Sequence, residues 1–179
     1  MLRLSVLGAT FAALTIPALA QTVGDETVCF VPGQFDCASV AIDEIGRAQR
    51  TIEIQAYGFT QPDIAQALIQ AHQRGVQVRL IVDKTAPRER GGKTLLVAQA
   101  GIPVWVDYEP RIAHNKVIVI DDAVLLQGSY NWTTAADHSN AENLLVSRNP
   151  ALADLYRQNF ESRLAASEPL AQWQAEESR

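Results

Sequence analysis

The chain has 179 residues, of which 47% are hydrophobic and 20% are charged, and this length suits one domain with a substantial core. It carries 15 basic and 20 acidic residues, so its net charge is −5 at pH 7. This balance excludes a protein that coats nucleic acid through a broad positive surface, although it allows a local basic site.

The first twenty residues have the pattern of a secretory signal peptide. Arg3 precedes a mostly apolar run over 4–14, and Ala18-Leu19-Ala20 is a small-x-small cleavage signature. The run is short for a membrane span, so an uncleaved anchor is the less favoured alternative. We therefore expect residues 1–20 to be removed and the protein to act in the periplasm or as a secreted protein. Loss of Arg3 leaves 14 basic and 20 acidic side chains, a net charge of −6.

Two cysteines follow the leader. Cys29 and Cys37 lie eight residues apart, on either side of a Pro32-Gly33 turn signal. In an oxidising compartment this spacing favours a disulfide that closes an N-terminal loop. Two thiols without nearby histidines make a poor metal site.

The mature chain alternates between patterns typical of helices and patterns typical of strands. A possible short strand near 27–31 comes first, and apolar residues at helical spacing then predict a helix from 36 to about 49. The patterns that follow are a strand at 51–57, a helix at 62–74, a strand at 76–82, a helix at about 92–100 and a strand at 102–106. This alternation predicts an α/β fold, with a mixed, largely parallel β-sheet flanked by helices on both faces.

Three more patterns complete the predicted domain, which spans 21–167: a hairpin within 113–133, a strand at 142–147 and an amphipathic helix from 150 to about 165. The hairpin turns at Asp121-Asp122 and makes part of the sheet antiparallel. Beyond the domain the sequence is polar apart from Trp173, which predicts a mobile tail over 168–179.

The hairpin region also carries two polar motifs. They are H-x-K-x4-D, formed by His114, Lys116 and Asp121, and G-S-x-N, formed by Gly128, Ser129 and Asn131. Because a strand sends residues i and i+2 to the same face, His114 and Lys116 should project together. Asp121 is an odd number of positions from both, so we expect it at the strand end, where it shapes the turn or pairs with a cation.

These side chains favour histidine chemistry at a phosphate. No pair of histidines has metal-ligand spacing, so no metal site is predicted. Ser129 follows a glycine but lacks the G-x-S-x-G elbow, which makes it a hydrogen-bond donor rather than the attacking group. What remains is His114 as nucleophile or acid–base group, with the neighbouring lysine, serine and asparagine able to bind an anion.

Together the two motifs resemble the signature of the phospholipase D superfamily. Further stretches resemble its short, exported bacterial nucleases, and they extend the resemblance over about 28–160: they are 56–60, 62–64, 75–76, 101–103 and 141–143. The resemblance implies a cofactor-free, metal-independent reaction in two steps. One histidine attacks the phosphodiester to give a phosphohistidine, and the histidine of a second motif protonates the leaving oxygen. Because this chain has one motif, the resemblance implies a homodimer that shares its active site across a two-fold axis.

The resemblance also implies a role for each side chain of the site. Lys116 and Asn131 would bind the non-bridging phosphate oxygens, with Ser129 assisting, and Asp121 belongs to the catalytic signature. Glu142 matches the family's acidic position and would hold the other nitrogen of the histidine. Outside the motifs, four basic residues are candidate nucleic-acid contacts, with a solvated loop as the alternative: Lys84, Arg88, Arg90 and Arg111.

These expectations combine into an exported endonuclease of low sequence specificity that cleaves DNA, with RNA as a second substrate. One alternative keeps the site but changes the substrate to a phospholipid, which would be hydrolysed or transferred. The mature sequence has neither a membrane helix nor an evident basic amphipathic helix, so we expect no stable membrane association. The other alternative is a module that binds nucleic acid without cutting it.

Overall fold

The computed structural model describes residues 21–32 and 36–177, so the predicted leader lies outside the described residues. The strands are β1 (Gln21–Val23), β2 (Glu26–Val31), β3 (Thr51–Ala56), β4 (Gln77–Asp83), β5 (Val104–Asp107), β6 (Lys116–Ile120), β7 (Val124–Gly128), β8 (Glu142–Ser147) and β9 (Glu168–Pro169). The α-helices are α1 (Cys37–Arg47), α2 (Pro62–Gln73), α3 (Thr94–Gln99), α4 (Thr134–His138), α5 (Pro150–Ala165) and α6 (Leu170–Glu177). A short 3₁₀ helix, Ala86–Arg88, follows β4.

The longer helices begin where their sequences provide the first hydrogen bonds. The Asp36 carboxylate accepts the backbone N–H of Ser39 at the start of α1 (3.2 Å), and the Asn149 side chain accepts that of Ala151 at the start of α5 (3.0 Å). Helices α2 and α5 each have proline in their first turn, where the missing N–H costs nothing. These local signals explain why the predicted helix starts agree with the observed ones.

The described strands form one sheet in the order β1-β2-β8-β7-β6-β3-β4-β5-β9. Parallel pairing joins β3 to β4 and β4 to β5, whereas the other pairings between described strands are antiparallel. The predicted α/β class and mixed sheet are confirmed, but the parallel part is limited to three strands. The reason is that the chain after β5 continues through hairpins and loops that reverse its direction, rather than through further crossover helices.

Helices flank both faces of this sheet, as the sequence predicts. Residues of α1 and α2 belong to the main hydrophobic core, together with Ile118 and Ile120 of β6. The alternate residues of β6, Val117 and Val119, form a smaller core with Ala153 of α5 on the opposite face. None of the described helices is both long enough and apolar enough to cross a membrane.

The disulfide between Cys29 and Cys37 is present, with a Cα–Cα distance of 5.8 Å. It joins β2 to the first residue of α1, and both cysteines are completely buried. The predicted pairing is therefore confirmed.

The C-terminal segment forms β9 and α6 over 168–177 and packs on the domain, where the sequence predicts a mobile tail. Strand β9 pairs with β5, and the α6 residues Leu170 and Trp173 are only 6% and 8% exposed. These side chains are three positions apart, so they share one helix face and enter the main core, while Ala171 and Gln172 between them are exposed. The described domain thus continues past residue 167.

Candidate active site

The two motifs meet at one edge of the sheet, at the ends of four adjacent strands. Ala56 at the end of β3 lies opposite Lys116 at the start of β6, and Gly128 at the end of β7 lies opposite Leu144 in β8. Because these neighbours are antiparallel, the end of one strand and the start of the next fall at the same edge. The segments at this edge carry His114, Ser129, Asn131 and Glu142.

His114 lies in the loop before β6, and not in the strand as the sequence predicts, because β6 begins two residues later. The side chain is exposed, and its ring centroid lies 4.5 Å from that of Tyr57, which follows β3. The backbone is fixed on both sides of the histidine. The Ala113 N–H donates to the Asp83 carboxylate (2.8 Å), and the Asn115 carbonyl accepts the Tyr57 N–H (3.1 Å). The imidazole therefore reaches solvent from a well-anchored backbone.

Lys116 lies beside His114 but is almost buried, with 6% of its surface exposed. Its ammonium donates to the His114 carbonyl (2.7 Å) and lies 4.9 Å from the centroid of the Tyr57 ring. Burial lowers the pKa of Lys116 to about 8, while the negative charge of Glu142 acts in the opposite direction. Lys116 thus provides a positive charge at neutral pH and loses it in mildly alkaline solution.

Glu142 contacts Ser129 rather than His114 within the chain. The Ser129 hydroxyl donates to Oε2 of Glu142 (2.5 Å) and accepts the Asn143 N–H (3.1 Å), while Asn140 Nδ2 donates to Oε1 (2.9 Å). The predicted bond from Glu142 to His114 stays a prediction, and within one chain no hydrogen bond joins the two residues. The reason is the strand order: Glu142 begins β8, and β7 lies between β8 and the strand that follows His114.

Asn131 keeps unused hydrogen-bonding capacity at the site. Its side-chain oxygen is buried and has no hydrogen-bond partner among the described residues. The backbone of Gly58 packs closely against the 131–133 segment. A Cβ at position 58 would lie 2.9 Å from Cγ2 of Thr133 and 3.7 Å from Oδ1 of Asn131. This oxygen only accepts hydrogen bonds, so an anionic ligand would have to be bound by the Nδ2 donor of the same amide.

Asp121 lies at the turn between β6 and β7, away from His114. It follows the far end of β6, about 17 Å from the start of that strand at the usual rise per residue. Its carboxylate accepts the backbone N–H groups of residues 49–51 at distances of 2.7–2.9 Å, and its own φ is 53°. Burial raises the pKa of Asp121, but these hydrogen bonds outweigh it and hold the pKa below its ordinary value. These contacts support the predicted role of Asp121 in shaping the turn and give no support to its predicted catalytic role.

Two of the four basic candidates for nucleic-acid contact are engaged within the protein. The Lys84 ammonium donates to the carbonyls of Pro110 (3.0 Å) and Tyr108 (3.4 Å). The Arg88 guanidinium lies over the Trp173 ring, 5.2 Å from its centroid. The other two arginines, at positions 90 and 111, are exposed.

A groove of about 830 Å³ is lined by Tyr57, which contacts the His114 ring, and reaches the C-terminal segment. Tyr57 and Gly58 form its inner end, and Lys84 and Arg88 line it further out. Its walls also carry aromatic and acidic side chains: Tyr108, Trp173, Glu89, Glu168 and Glu176. The groove is therefore of mixed charge and is not a uniformly basic channel.

Sequence reasoning missed Tyr57 and Asp83 as residues of the site. Each one ends a predicted strand of the parallel part of the sheet, or directly follows it. Ligands of α/β proteins often lie at the carboxyl ends of parallel strands, and this position is the signal that could have identified both residues. In the part of the chain that the structure describes, no three histidine, cysteine, aspartate or glutamate side chains are arranged to hold a metal ion.

The sequence is similar to proteins of known families. The family model described as "Cardiolipin synthase, PLD-like domain" matches residues 41–164. The Phospholipase D of Rickettsia typhi is 38% identical, over 86% of this chain and 74% of the relative. That of Rickettsia bellii is 42% identical, over 78% of this chain and 69% of the relative. The mitochondrial cardiolipin hydrolase of Xenopus tropicalis is 36% identical, over 64% of this chain and 55% of the relative.

Solved structures show the same relationship. Nuc from Salmonella typhimurium, a phospholipase D family member, has a TM-score of 0.76 and 31% identity, and the match covers 80% of this chain and 96% of that one. NucT from Helicobacter pylori has a TM-score of 0.75 at 22% identity, covering 81% of this chain and 98% of that one, and shows the shared fold. The resemblance seen in the motifs is thus confirmed. The chain belongs to the phospholipase D superfamily and has the phosphodiesterase fold of that family.

Proposed function

We propose that this protein is an exported, metal-independent endonuclease that hydrolyses phosphodiester bonds of DNA, and also of RNA, with low sequence specificity. The observation that carries the proposal is the meeting of an exposed imidazole, a buried ammonium and a half-buried amide at one sheet edge, on His114, Lys116 and Asn131. These groups supply a nucleophile and two binding groups for the charge of a phosphate.

The proposed reaction has two steps. In the first step, an imidazole nitrogen of His114 attacks phosphorus, and an N–P bond forms as the bond from phosphorus to the 3′ oxygen breaks. A second, protonated histidine gives its proton to that leaving oxygen. In the second step, water attacks the phosphohistidine and the second histidine takes a proton from the water. The products are a 5′-phosphate and a 3′-hydroxyl, and His114 is regenerated.

Lys116 is the main electrostatic partner of the phosphate in this proposal. Its ammonium is protonated at neutral pH and lies next to the backbone of His114, so it would bind a non-bridging oxygen. The Asn131 amide would bind the phosphate from the neighbouring loop. Glu142 would support this arrangement indirectly, through its bond with Ser129 and its charge near Lys116.

The second histidine would come from a second copy of the chain. The sequence contains one H-x-K motif, whereas the two proton transfers and the attack need two histidines. The exposure of His114 supports a homodimer in which two copies of this edge face each other across a two-fold axis.

An open site favours a polymeric substrate. An endonuclease has to admit a chain that continues on both sides of the reacting phosphate, and His114 stands on an exposed loop with a groove beside it. The Cys29–Cys37 disulfide supports export, because such bonds persist in oxidising compartments.

Plasmid cleavage in EDTA tests the proposed function. We expect nicked and linear DNA with the purified protein and none with His114→Ala. Intact plasmid with the native protein, or cutting that survives the substitution, would contradict the proposal. DNA retention that is sensitive to salt but shows no turnover would instead indicate a binding module.

A phospholipid substrate is the second candidate, and the names of the Rickettsia relatives favour it. They are called Phospholipase D and share 38% and 42% identity with this chain. Release of phosphatidic acid from vesicles, without cleavage of DNA under the same conditions, would reverse the ranking. The His114→Ala variant serves as the control, because both activities need the same nucleophile.

A further inference from the structure

The loop that carries His114 is held in place by the end of a neighbouring strand. Residues 108–115 connect β5 to β6 and contain no helix or strand of their own. A loop of this kind needs outside contacts to fix a nucleophile with the accuracy that catalysis requires. Two consecutive residues at the end of β4, Asp83 and Lys84, provide such contacts.

Asp83 holds the second half of the loop. Its side chain is 1% exposed, and Oδ2 accepts the Ala113 N–H at 2.8 Å. The other oxygen accepts the N–H (2.9 Å) and the hydroxyl (2.6 Å) of Thr85, so the carboxylate cannot easily rotate. Burial of a carboxylate is costly unless it is hydrogen-bonded, so the Asp83 side chain is stable only where these N–H and O–H groups surround it. The bonded N–H belongs to Ala113, the residue directly before His114.

Lys84 holds the first half of the same loop. Its ammonium donates to the carbonyls of Pro110 and Tyr108 at 3.0 and 3.4 Å. An ammonium has three donors and is strongly hydrated in solution, so these bonds to main-chain oxygens replace water and order the chain around the cation. Asp83 and Lys84 therefore contact the loop on both sides of its middle.

We propose that Asp83 and Lys84 act as a clamp that positions the His114 loop for attack on the phosphate. Both are positioning residues, because they act through the loop backbone and not on the substrate. Lys84 thereby has a different role from the nucleic-acid contact that the sequence suggests. The proposal rests on the proposed function of His114 as the nucleophile.

The first experiment compares Asp83→Asn with the native protein on bis(p-nitrophenyl) phosphate. The substitution replaces one acceptor oxygen by an NH2 group, so the side chain can no longer accept hydrogen bonds from both Ala113 and Thr85. We expect kcat to fall about 10- to 100-fold, because small misplacements of a nucleophile have effects of this size. KM should stay within about twofold, since Lys116 and Asn131 remain on their own strand and loop.

Glu53→Gln is the matched control for this variant. Glu53 is also a buried carboxylate, 3% exposed, but it pairs with Arg79. It should lower thermal stability while leaving kcat within about twofold of the native value. Equal losses of kcat in the two variants would overturn the clamp, because the effect would then follow stability alone.

Lys84→Met separates positioning from nucleic-acid contact, because it keeps the aliphatic stem and removes the ammonium. A positioning lysine lowers kcat without changing the salt dependence of DNA binding. A phosphate contact would reduce the slope of log K against log[salt] by about 0.9. Arg111→Gln, on the exposed arginine nearest to His114 in the sequence, is the comparator and should show that reduced slope. A reduced slope with unchanged kcat in Lys84→Met would overturn the assignment.

Hydrogen exchange keeps the clamp testable if neither DNA nor the small diester is hydrolysed. The amide of Ala113 should exchange faster in Asp83→Asn than in the native protein, while the amides of β6 keep their protection. Unchanged exchange at Ala113 would overturn the clamp whatever the substrate, whereas faster exchange without turnover would overturn only the proposed function.

Discussion

Tyr57 lies against both His114 and Lys116. Its ring centroid is 4.5 Å from that of the His114 imidazole and 4.9 Å from the Lys116 ammonium. The face of an aromatic ring attracts positive charge, so the ring can stabilise the Lys116 ammonium while it packs against the imidazole. Tyr57 therefore helps to fix the position of both side chains.

The pKa of Lys116 sets an alkaline limit for activity. The ammonium must be protonated to bind phosphate, and burial lowers its pKa to about 8. We therefore expect kcat/KM to fall as the pH rises through that value. In Glu142→Gln the opposing negative charge is lost, so the pKa of Lys116 falls further and the alkaline limb moves to lower pH. A pH–rate profile for both proteins measures this shift.

Asp63→Asn is the control for that profile. Asp63 is an exposed carboxylate in the first turn of α2, so its removal changes net charge by the same amount as Glu142→Gln. Its alkaline limb should coincide with that of the native protein. A limb that does not move in Glu142→Gln would contradict the electrostatic link with Lys116.

At the scale of elements, the β6–β7 turn should contribute to stability and not to catalysis. The Asp121 carboxylate accepts hydrogen bonds from three backbone N–H groups, and the φ of Asp121 is 53°. An asparagine at this position can adopt the same φ, but it has one acceptor oxygen and cannot form all three hydrogen bonds. We expect Asp121→Asn to lower the free energy of unfolding by about 2 kcal/mol at neutral pH. Urea unfolding measures this loss, and kcat should be unchanged.

The effect of Asp121→Asn should also depend on pH. The folded-state pKa of Asp121 is held below its ordinary value, so its stabilisation is complete above the pKa of the unfolded chain, about 4, and is lost as the pH falls through the folded-state pKa. The two unfolding curves should therefore converge in acid. A difference that persists there would show that the charge is not responsible.

The C-terminal segment should contribute to both the core and the groove. Trp173 is 8% exposed, packs in the main core and lines the groove under Arg88. We expect Trp173→Ala to lower the free energy of unfolding by about 3–5 kcal/mol, as for other large-to-small core substitutions. Trp173→Phe should recover most of this loss, and thermal unfolding compares the two. Equal stability of Trp173→Ala and the native protein would mean that the segment is not part of the domain.

Most elements could be predicted because their signals are local. Proline in the first turn of α2 and the strand pattern of 51–57 give boundaries close to those observed. The features that could not be predicted depend on distant contacts. The position of the loop before His114 depends on its hydrogen bond to Asp83. The hydrogen-bond partner of Glu142 depends on which strands are neighbours in the sheet. The packing of Trp173 depends in the same way on a distant part of the sheet.

At the scale of the whole molecule, a shared active site predicts how mixed dimers behave. Co-refolding native chains with an equal amount of His114→Asn chains gives about one quarter native dimers if the chains pair at random. If only native dimers are active, we expect the mixture to have about one quarter of the activity of the same total mass of purely native protein. Independent sites would leave about one half instead. Native mass measured on the same samples confirms that pairing took place.

The order of the strands also determines how much of the chain must be synthesised before the candidate site can form. The candidate site joins the end of β3, which ends at residue 56, to the start of β8 at residue 142, and β6 and β7 lie between them in the sheet. A nascent chain or a proteolytic fragment that lacks β8 has no complete site. We therefore expect the proposed hydrolytic activity to appear late, after synthesis of nearly the entire domain.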